Sequence, residues 1–293
     1  MIFIKRTGQV LNIQTNRSLS EISTFGIGGP INFFVEVFTV EEAMAAYAWA
    51  SLKKLPVLVV GKGSNCLFRD EPFEGLILWN KINDCKWGEN EILVSSGYSF
   101  SLLGAQTAKR GLSGLEFASG IPATVGGAVF MNAGANGKET FDSLLSVQYL
   151  FATGKQREFR KEELSYSYRN TSFQSMNGCI LSAIFRLERK TEARKFQLEI
   201  IRSRMITQPY NEKSAGCVFK NPSYELSAGA LIDRCGLKGF AIGGAKVSEM
   251  HANFLINTGR ATAKEVIELI EQIQCRVRKQ TGVHLEPEIR ILP

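Results

Sequence analysis

Residues 114–137 read GLEFASGIPATVGGAVFMNAGANG, a run in which six glycines are spaced among small and polar residues. Glycine leaves no Cβ above the main chain and reaches backbone conformations closed to other residues. Clusters of it therefore mark tight turns or main chain that faces a ligand. A second glycine turn, Gly61-Lys62-Gly63-Ser64-Asn65, follows the apolar run LPVLVV of residues 55–60, which reads as a short buried strand. A T-x-x-E capping box at Thr39 and Glu42 opens a helix just upstream, with Met44, Tyr47, Ala48 and Leu52 on one face. Helix, strand and glycine turn in succession predict a mixed α/β fold.

The 61–65 turn is not a dinucleotide fingerprint of the Rossmann kind. Cys66 stands where the third glycine belongs, and the strand-like LILW follows instead of an amphipathic helix. The chain also lacks the GxxxxGK[ST] phosphate loop and the GxSxG nucleophile elbow.

At 293 residues the chain has length for two domains, and 44% hydrophobic with 22% charged residues suits a soluble globular protein. Only four apolar residues precede Lys5 and Arg6, too few for a signal-peptide core, and no apolar run approaches a membrane span. The cytoplasm is the expected compartment. Six cysteines, at 66, 85, 179, 217, 235 and 275, have no CxxC spacing and accompany two histidines. That excludes a disulfide framework or a zinc site and predicts mostly buried, reduced thiols. The net charge of +7 is dispersed among acids, as in RLERKTEARK at 186–195. A phosphorylated small molecule fits this better than nucleic acid.

Residues 144–151 and 178–187 read as strands, and the charged stretch from Arg186 marks a domain boundary. A second capping box, Thr262 with Glu265, opens a helix carrying Val266, Ile270, Ile273 and Val277 on one face and stopped by Gly282. HLEPEIRIL at 284–292 reads as a final strand with Leu285, Ile289 and Ile291 on one side and Glu286, Glu288 and Arg290 on the other.

Six segments carry a resemblance: GKGSN, the 114–137 run, Tyr168-Arg169, SAGCVFKNP at 214–222, AGALIDRCGLKGFAIGGAKVSEMHANFLIN at 228–257, and LEPEIR. Their order, from about Ser23 to Ile291, closely resembles the UDP-N-acetylenolpyruvoylglucosamine reductases. The resemblance implies an α+β architecture: an FAD-binding domain of the vanillyl-alcohol oxidase type over residues 1–190, with its core at about 24–189, then a smaller α+β substrate-binding domain over 191–293. It implies noncovalent FAD, NADPH as co-substrate, and reduction of UDP-N-acetylglucosamine enolpyruvate to UDP-N-acetylmuramate for peptidoglycan. The flavin pyrophosphate would lie among backbone turns, and the implied flavin-binding set is Gly61, Lys62, Gly63, Ser64, Asn65, Ser119, Gly120, Ile121, Thr124, Gly126, Gly127 and Asn132. Bare backbone N–H groups in both segments would suit phosphate oxygens.

Arg169 matches the family's Tyr-Arg motif, and its permanent charge suits an enolate. Glu288, the second glutamate of LEPEIR, matches the family's catalytic glutamate, although alternation puts Glu286 on the same face. Cys217 occupies a position where the family usually has the proton-donating serine. Its thiol is acidic enough to protonate a carbanion. Thr207 stands where many relatives have a substrate-binding lysine, which shifts anchoring to Arg204, Lys220 and Asn221. The short interval from Arg169 to Cys217 resembles the family class without an inserted tyrosine-bearing loop. His251 and Asn253 match a further motif, open between packing and function.

Overall fold

Thr39 does start the first long helix: its Oγ1 accepts from the Glu42 amide at 3.1 Å, and the Glu42 carboxylate accepts from the Thr39 amide at 3.3 Å. The helix runs Val40–Leu52, but its buried side is Ala43, Ala45, Ala46, Tyr47, Trp49 and Ala50, while Ala48 and Leu52 are exposed. The expected face holds at Tyr47 and, partly buried against the core, at Met44, and fails at Ala48 and Leu52. Alanine packs closely on nearly any side of a helix, so an alanine-rich segment carries almost no amphipathic signal.

The computed structural model describes residues 2–6 and 9–293, with side chains described from Leu11 onward. Met1, Thr7 and Gly8 lie outside the described residues. The chain forms two compact units: the first joins residues 1–15, 33–62 and 74–204, the second 16–32, 63–73 and 205–293. Two short early segments thus belong with the C-terminal part.

In the first unit the antiparallel strands Leu144–Phe151 and Gly178–Arg186 are central. Gln156–Arg160, Glu91–Ser95 and Cys85–Trp87 complete a five-stranded sheet around them. Its core includes Val94, Phe100, Leu103, Val125, Phe141, Tyr149 and Phe185. A second core of the same unit collects Val35, Trp49, Leu76 and Leu78, beside Val57–Val60, which pairs in parallel with Phe73–Asn80. LILW lies in that latter strand, and the 61–65 turn leads into the short strand Cys66–Phe68 and not into a helix. This agrees with the exclusion of a Rossmann site.

The second unit has a four-stranded sheet in the order Lys213–Cys217, Phe254–Asn257, Ala245–Val247, Ala241–Ile242. Against its core lies the helix Ala263–Thr281, capped by Thr262, burying Val266, Leu269, Ile270, Ile273 and Val277, and ended by Gly282 at φ +76°. Glycine takes that left-handed cap without the Cβ penalty. The final strand is shorter than its alternation predicts, only Arg290–Leu292, pairing in parallel with Cys66–Phe68. Pro287 has no N–H to give a ladder and makes a lone bridge to Phe219. Leu285 and Ile289 are buried, but Ile291 is exposed.

The cysteines are all free, but only Cys179 is fully buried; Cys275 is exposed and the other four are half-buried. Burial pushes the Cys179 thiol up to about 12 and the Cys66 thiol up to about 11, so both stay protonated and inert. No helix among the described residues is long and apolar enough to cross a membrane.

Candidate active site

The 61–65 turn is held by its carbonyls. Gly61 O accepts from Trp79 Nε1 at 2.6 Å, Gly63 O from the Thr24 amide at 3.4 Å, and Asn65 O from the Arg290 amide at 3.0 Å. The amides of Lys62, Gly63 and Ser64 meet no acceptor among the described residues. Gly63 sits at φ +60°, and a Cβ there would collide with Ile22 O. The chain thus bends sharply and leaves consecutive N–H groups bare, the geometry of an anion cradle.

The 119–127 stretch departs from the expectation of bare amides. Ser119 N donates to Glu116 O, Ile121 N to Ala118 O, Ala123 N to Ile121 O, Val125 N to Tyr98 O, and Gly126 N to Ser96 O. Gly120 N donates to Ser101 Oγ at 2.7 Å, and Gly127 N to Thr124 Oγ1 at 3.2 Å. Thr124 is the N-cap of the helix Val125–Met131. A Cβ on Gly126 would come within 2.8 Å of Ser96 Cβ, so this glycine serves packing. Among the described residues one buried polar side-chain atom is left over: Ser119 Oγ is fully buried with no partner. A buried hydroxyl without a partner costs about 1–3 kcal/mol, and a bound group offering a hydrogen-bonding atom would remove that cost. Bare amides and an orphaned hydroxyl fit a phosphate-bearing cofactor.

Asn132 closes the same helix at φ +43° and is fully buried. Its side chain is engaged within the protein: Nδ2 donates to Glu139 Oε2 at 2.7 Å and Ser167 O at 3.1 Å, and Oδ1 accepts from the Phe141 amide at 3.1 Å. Arg169, at φ +57°, donates from Nη2 to Gly134 O at 2.9 Å and from Nη1 to Asn132 O at 3.4 Å. Its guanidinium lies 4.6 Å from the Tyr168 ring centre.

The second unit brings several expected residues together. Cys217 ends the strand Lys213–Cys217. The Glu288 amide donates to Val218 O at 2.7 Å, next to Cys217 in the chain, while Asn65 Nδ2 donates to Glu288 O at 3.3 Å. Glu288, Val218 (the residue after Cys217) and Asn65 at the end of the turn are thus linked by hydrogen bonds. Glu286, which alternation could not separate from Glu288, is separated here: its carboxylate is 67% exposed and pairs with Lys220 Nζ at 2.6 Å. Asn221 Oδ1 accepts from the Ala228 amide at 3.1 Å. Arg204, in the first unit, is half-buried near the end of the helix Ala193–Thr207.

Asn253 clamps the segment after Cys217: its Nδ2 donates to Phe219 O at 2.8 Å and its Oδ1 accepts from Phe219 N at 2.9 Å. His251 Nδ1 accepts from the Asn253 amide at 3.2 Å, and burial, reinforced by Lys238, lowers its pKa and keeps the ring neutral. In the structure the motif SEMHANF packs and aligns the segment after Cys217. Glu139 is the residue that sequence reasoning missed. Its signal was the tight Asn136-Gly137 turn three residues before it, which folds 134–139 into a hairpin.

A family model described as "FAD binding domain" matches residues 31–160, and one described as "UDP-N-acetylenolpyruvoylglucosamine reductase, C-terminal domain" matches 208–292. The chain is 52% identical over 281 residues to the UDP-N-acetylenolpyruvoylglucosamine reductase of Protochlamydia amoebophila, covering 96% of this chain and 94% of the relative. It is 47% identical over 283 residues to that of Chlamydia muridarum, covering 96% and 95%. Among solved structures, a UDP-N-acetylenolpyruvylglucosamine reductase from Thermus caldophilus superposes with a TM-score of 0.82 at 36% identity, covering 97% of this chain and 100% of that one.

Proposed function

Since the chain belongs to the UDP-N-acetylenolpyruvoylglucosamine reductase family, we propose that Arg169, Cys217 and Glu288 complete the reduction of its enolpyruvyl ether substrate. The protein is an FAD-dependent reductase of peptidoglycan synthesis that uses NADPH as co-substrate. When bound, FAD would supply the redox chemistry by which hydride from NADPH reaches the distal carbon of the enolpyruvyl group to yield UDP-N-acetylmuramate.

The flavin-binding residues are proposed to be Gly61, Lys62, Gly63, Ser64 and Asn65, with Ser119, Gly120, Ile121, Thr124, Gly126, Gly127 and Asn132. Bare amides at 62–64 support a pyrophosphate there, held without a covalent bond. The unpartnered Ser119 Oγ supports a second polar contact. Gly126 and Asn132 contribute by shaping the backbone, in keeping with their internal bonds. In this reading residues 1–190 serve the flavin and 191–293 the substrate.

Hydride addition leaves negative charge on the carboxylate-bearing carbon. Arg169, permanently cationic and only 14% exposed at its side chain, stabilises that charge. Cys217 holds the proton on Sγ and gives it to the same carbon, doing with a thiol what the family usually does with a hydroxyl. Glu288 donates a hydrogen bond from its protonated carboxyl to the substrate carboxylate as the second charge develops. Lys220 and Asn221, ordered by Glu286 and Ala228, anchor the substrate with Arg204. NADPH and a nucleotide sugar as substrates support a cytoplasmic site of action.

One observation carries this reading: Glu288 N–H reaches Val218 O at 2.7 Å while Asn65 Nδ2 reaches Glu288 O. Glu288, Val218 (the residue after Cys217) and Asn65 at the end of the turn belong to one unit, which supports their acting together. The test follows flavin colour in stopped flow. The purified protein should be yellow, bleached by NADPH and recoloured by the enolpyruvyl substrate. Cys217→Ala should bleach normally and recolour at least about tenfold more slowly, about 1.4 kcal/mol of barrier, and Cys217→Ser should restore recolouring. A wild-type rate in Cys217→Ala removes the thiol as donor. Nucleotide-sugar binding without recolouring would make the protein a binder and not a reductase.

A further inference from the structure

Beside Arg169 lies a carboxylate that none of the roles above uses. Glu139 Oε1 stands 3.9 Å from Arg169 Nη1, too far for a hydrogen bond, so its pull on the guanidinium is electrostatic. Its other oxygen, Oε2, accepts from Asn132 Nδ2 at 2.7 Å. The Asn132 carbonyl in turn accepts from Arg169 Nη1. The two carboxylate oxygens thus hold Arg169 once by charge and once through Asn132.

The backbone fixes this arrangement from the same place. Gly134 pairs with Glu139 and Ala135 with Lys138 in a two-rung ladder, turned by Asn136 and Gly137, both at positive φ. Gly134 O accepts from the guanidinium at 2.9 Å. A Cβ on Gly134 would collide with Lys138 O, so only glycine lets the hairpin close this tightly. One hairpin therefore carries both the carbonyl and the carboxylate that aim Arg169. Arg169 holds left-handed backbone, a conformation that costs a residue of its kind about 1–2 kcal/mol. Strain of this kind persists where surrounding contacts fix it, and the Glu139 hairpin supplies those contacts.

We propose that Glu139 is a positioning residue for the substrate half-reaction: it fixes the orientation of the Arg169 guanidinium, directly by charge and indirectly through Asn132. This rests on the role of Arg169 given above. Separation at 3.9 Å suits the task, because a close bidentate pair would hold the guanidinium to Glu139 rather than aim it.

The experiment is stopped flow on the holoenzyme, with both half-reactions measured separately. Glu139→Ala removes the charge and the Asn132 acceptor; Glu139→Gln keeps an acceptor and removes the charge. Glu139→Ala is expected to slow oxidation of reduced flavin by the enolpyruvyl substrate about tenfold, and Glu139→Gln by less, with flavin reduction by NADPH within about twofold of wild type. The loss should fall on kcat more than on KM. In an Arg169→Ala background, adding Glu139→Ala should change nothing further, since residues that act through one another are not additive. A purely structural Glu139 would lower both half-reactions together, or would cost as much without Arg169 as with it; either result overturns the proposal. If Glu139→Ala does not fold, Glu139→Gln decides alone in the same cycle, and a wild-type substrate rate in it overturns the proposal. Arg169→Ala at the wild-type rate would instead bring down the role of Arg169. A slow Arg169→Ala beside a wild-type Glu139→Ala brings down only Glu139.

Discussion

The 61–65 turn and the 119–127 stretch are both glycine-rich, yet their amides have opposite fates. In the first the amides of Lys62, Gly63 and Ser64 find no acceptor among the described residues; in the second, seven amides from Ser119 to Gly127 donate to carbonyls or hydroxyls of the protein itself. Close packing explains Gly126 in the second, where a Cβ would press on Ser96. Glycine clustering therefore reports that something approaches the main chain, and the fate of the N–H groups tells whether it is a ligand or more protein.

The largest effect should come from breaking this contrast at the donors. Lys62→Pro removes one bare amide along with the ammonium, and Lys62→Ala removes the ammonium alone. Hydrogen bonds to charged groups are worth about 1.5–3 kcal/mol, so Lys62→Pro should weaken FAD binding tenfold or more beyond Lys62→Ala, as read by flavin titration. Gly126→Val is the counterpart. Overpacking against Ser96 should cost the flavin-free protein about 1–3 kcal/mol, read as a lower Tm. A Gly126→Val protein of unchanged Tm with impaired flavin binding would erase the distinction.

A smaller effect sharpens the comparison through its sign. Ser119→Ala removes a buried hydroxyl that has no partner without ligand. It should leave the flavin-free protein as stable or slightly more so, and weaken FAD binding by about 1 kcal/mol, some fivefold. Loss of stability with unchanged flavin affinity would mean that Ser119 is only a packing residue.

Much of this was legible in the sequence where local chemistry decides. The Thr262 cap, the apolar face from Val266 to Val277 and the Gly282 stop gave the last helix almost to the residue, because capping and periodicity are local signals. The Val40–Leu52 helix was found by its cap and by only half of its face, Met44 and Tyr47, since alanines pack on any side. Periodicity also could not foresee that Pro287 would break the final strand, and so could not separate Glu286 from Glu288; their exposure does. Least legible were contacts remote in sequence. The pairing of Cys66–Phe68 with Arg290–Leu292 draws residues 63–73 into the C-terminal unit, and no local pattern announces it. Glu139 was half hidden: the Asn136-Gly137 turn marks its hairpin, but Arg169 meets it only through the fold.

Amide hydrogen exchange with and without FAD tests the central contrast most directly, because binding protects only donors that the ligand engages. The amides of Lys62, Gly63 and Ser64 should exchange quickly in the flavin-free protein and slow markedly once FAD is bound, while those of Gly120, Ile121, Val125, Gly126 and Gly127 exchange slowly in both states. Slow exchange at 62–64 before flavin is added, with new protection appearing at 120–127 on binding, would contradict the account.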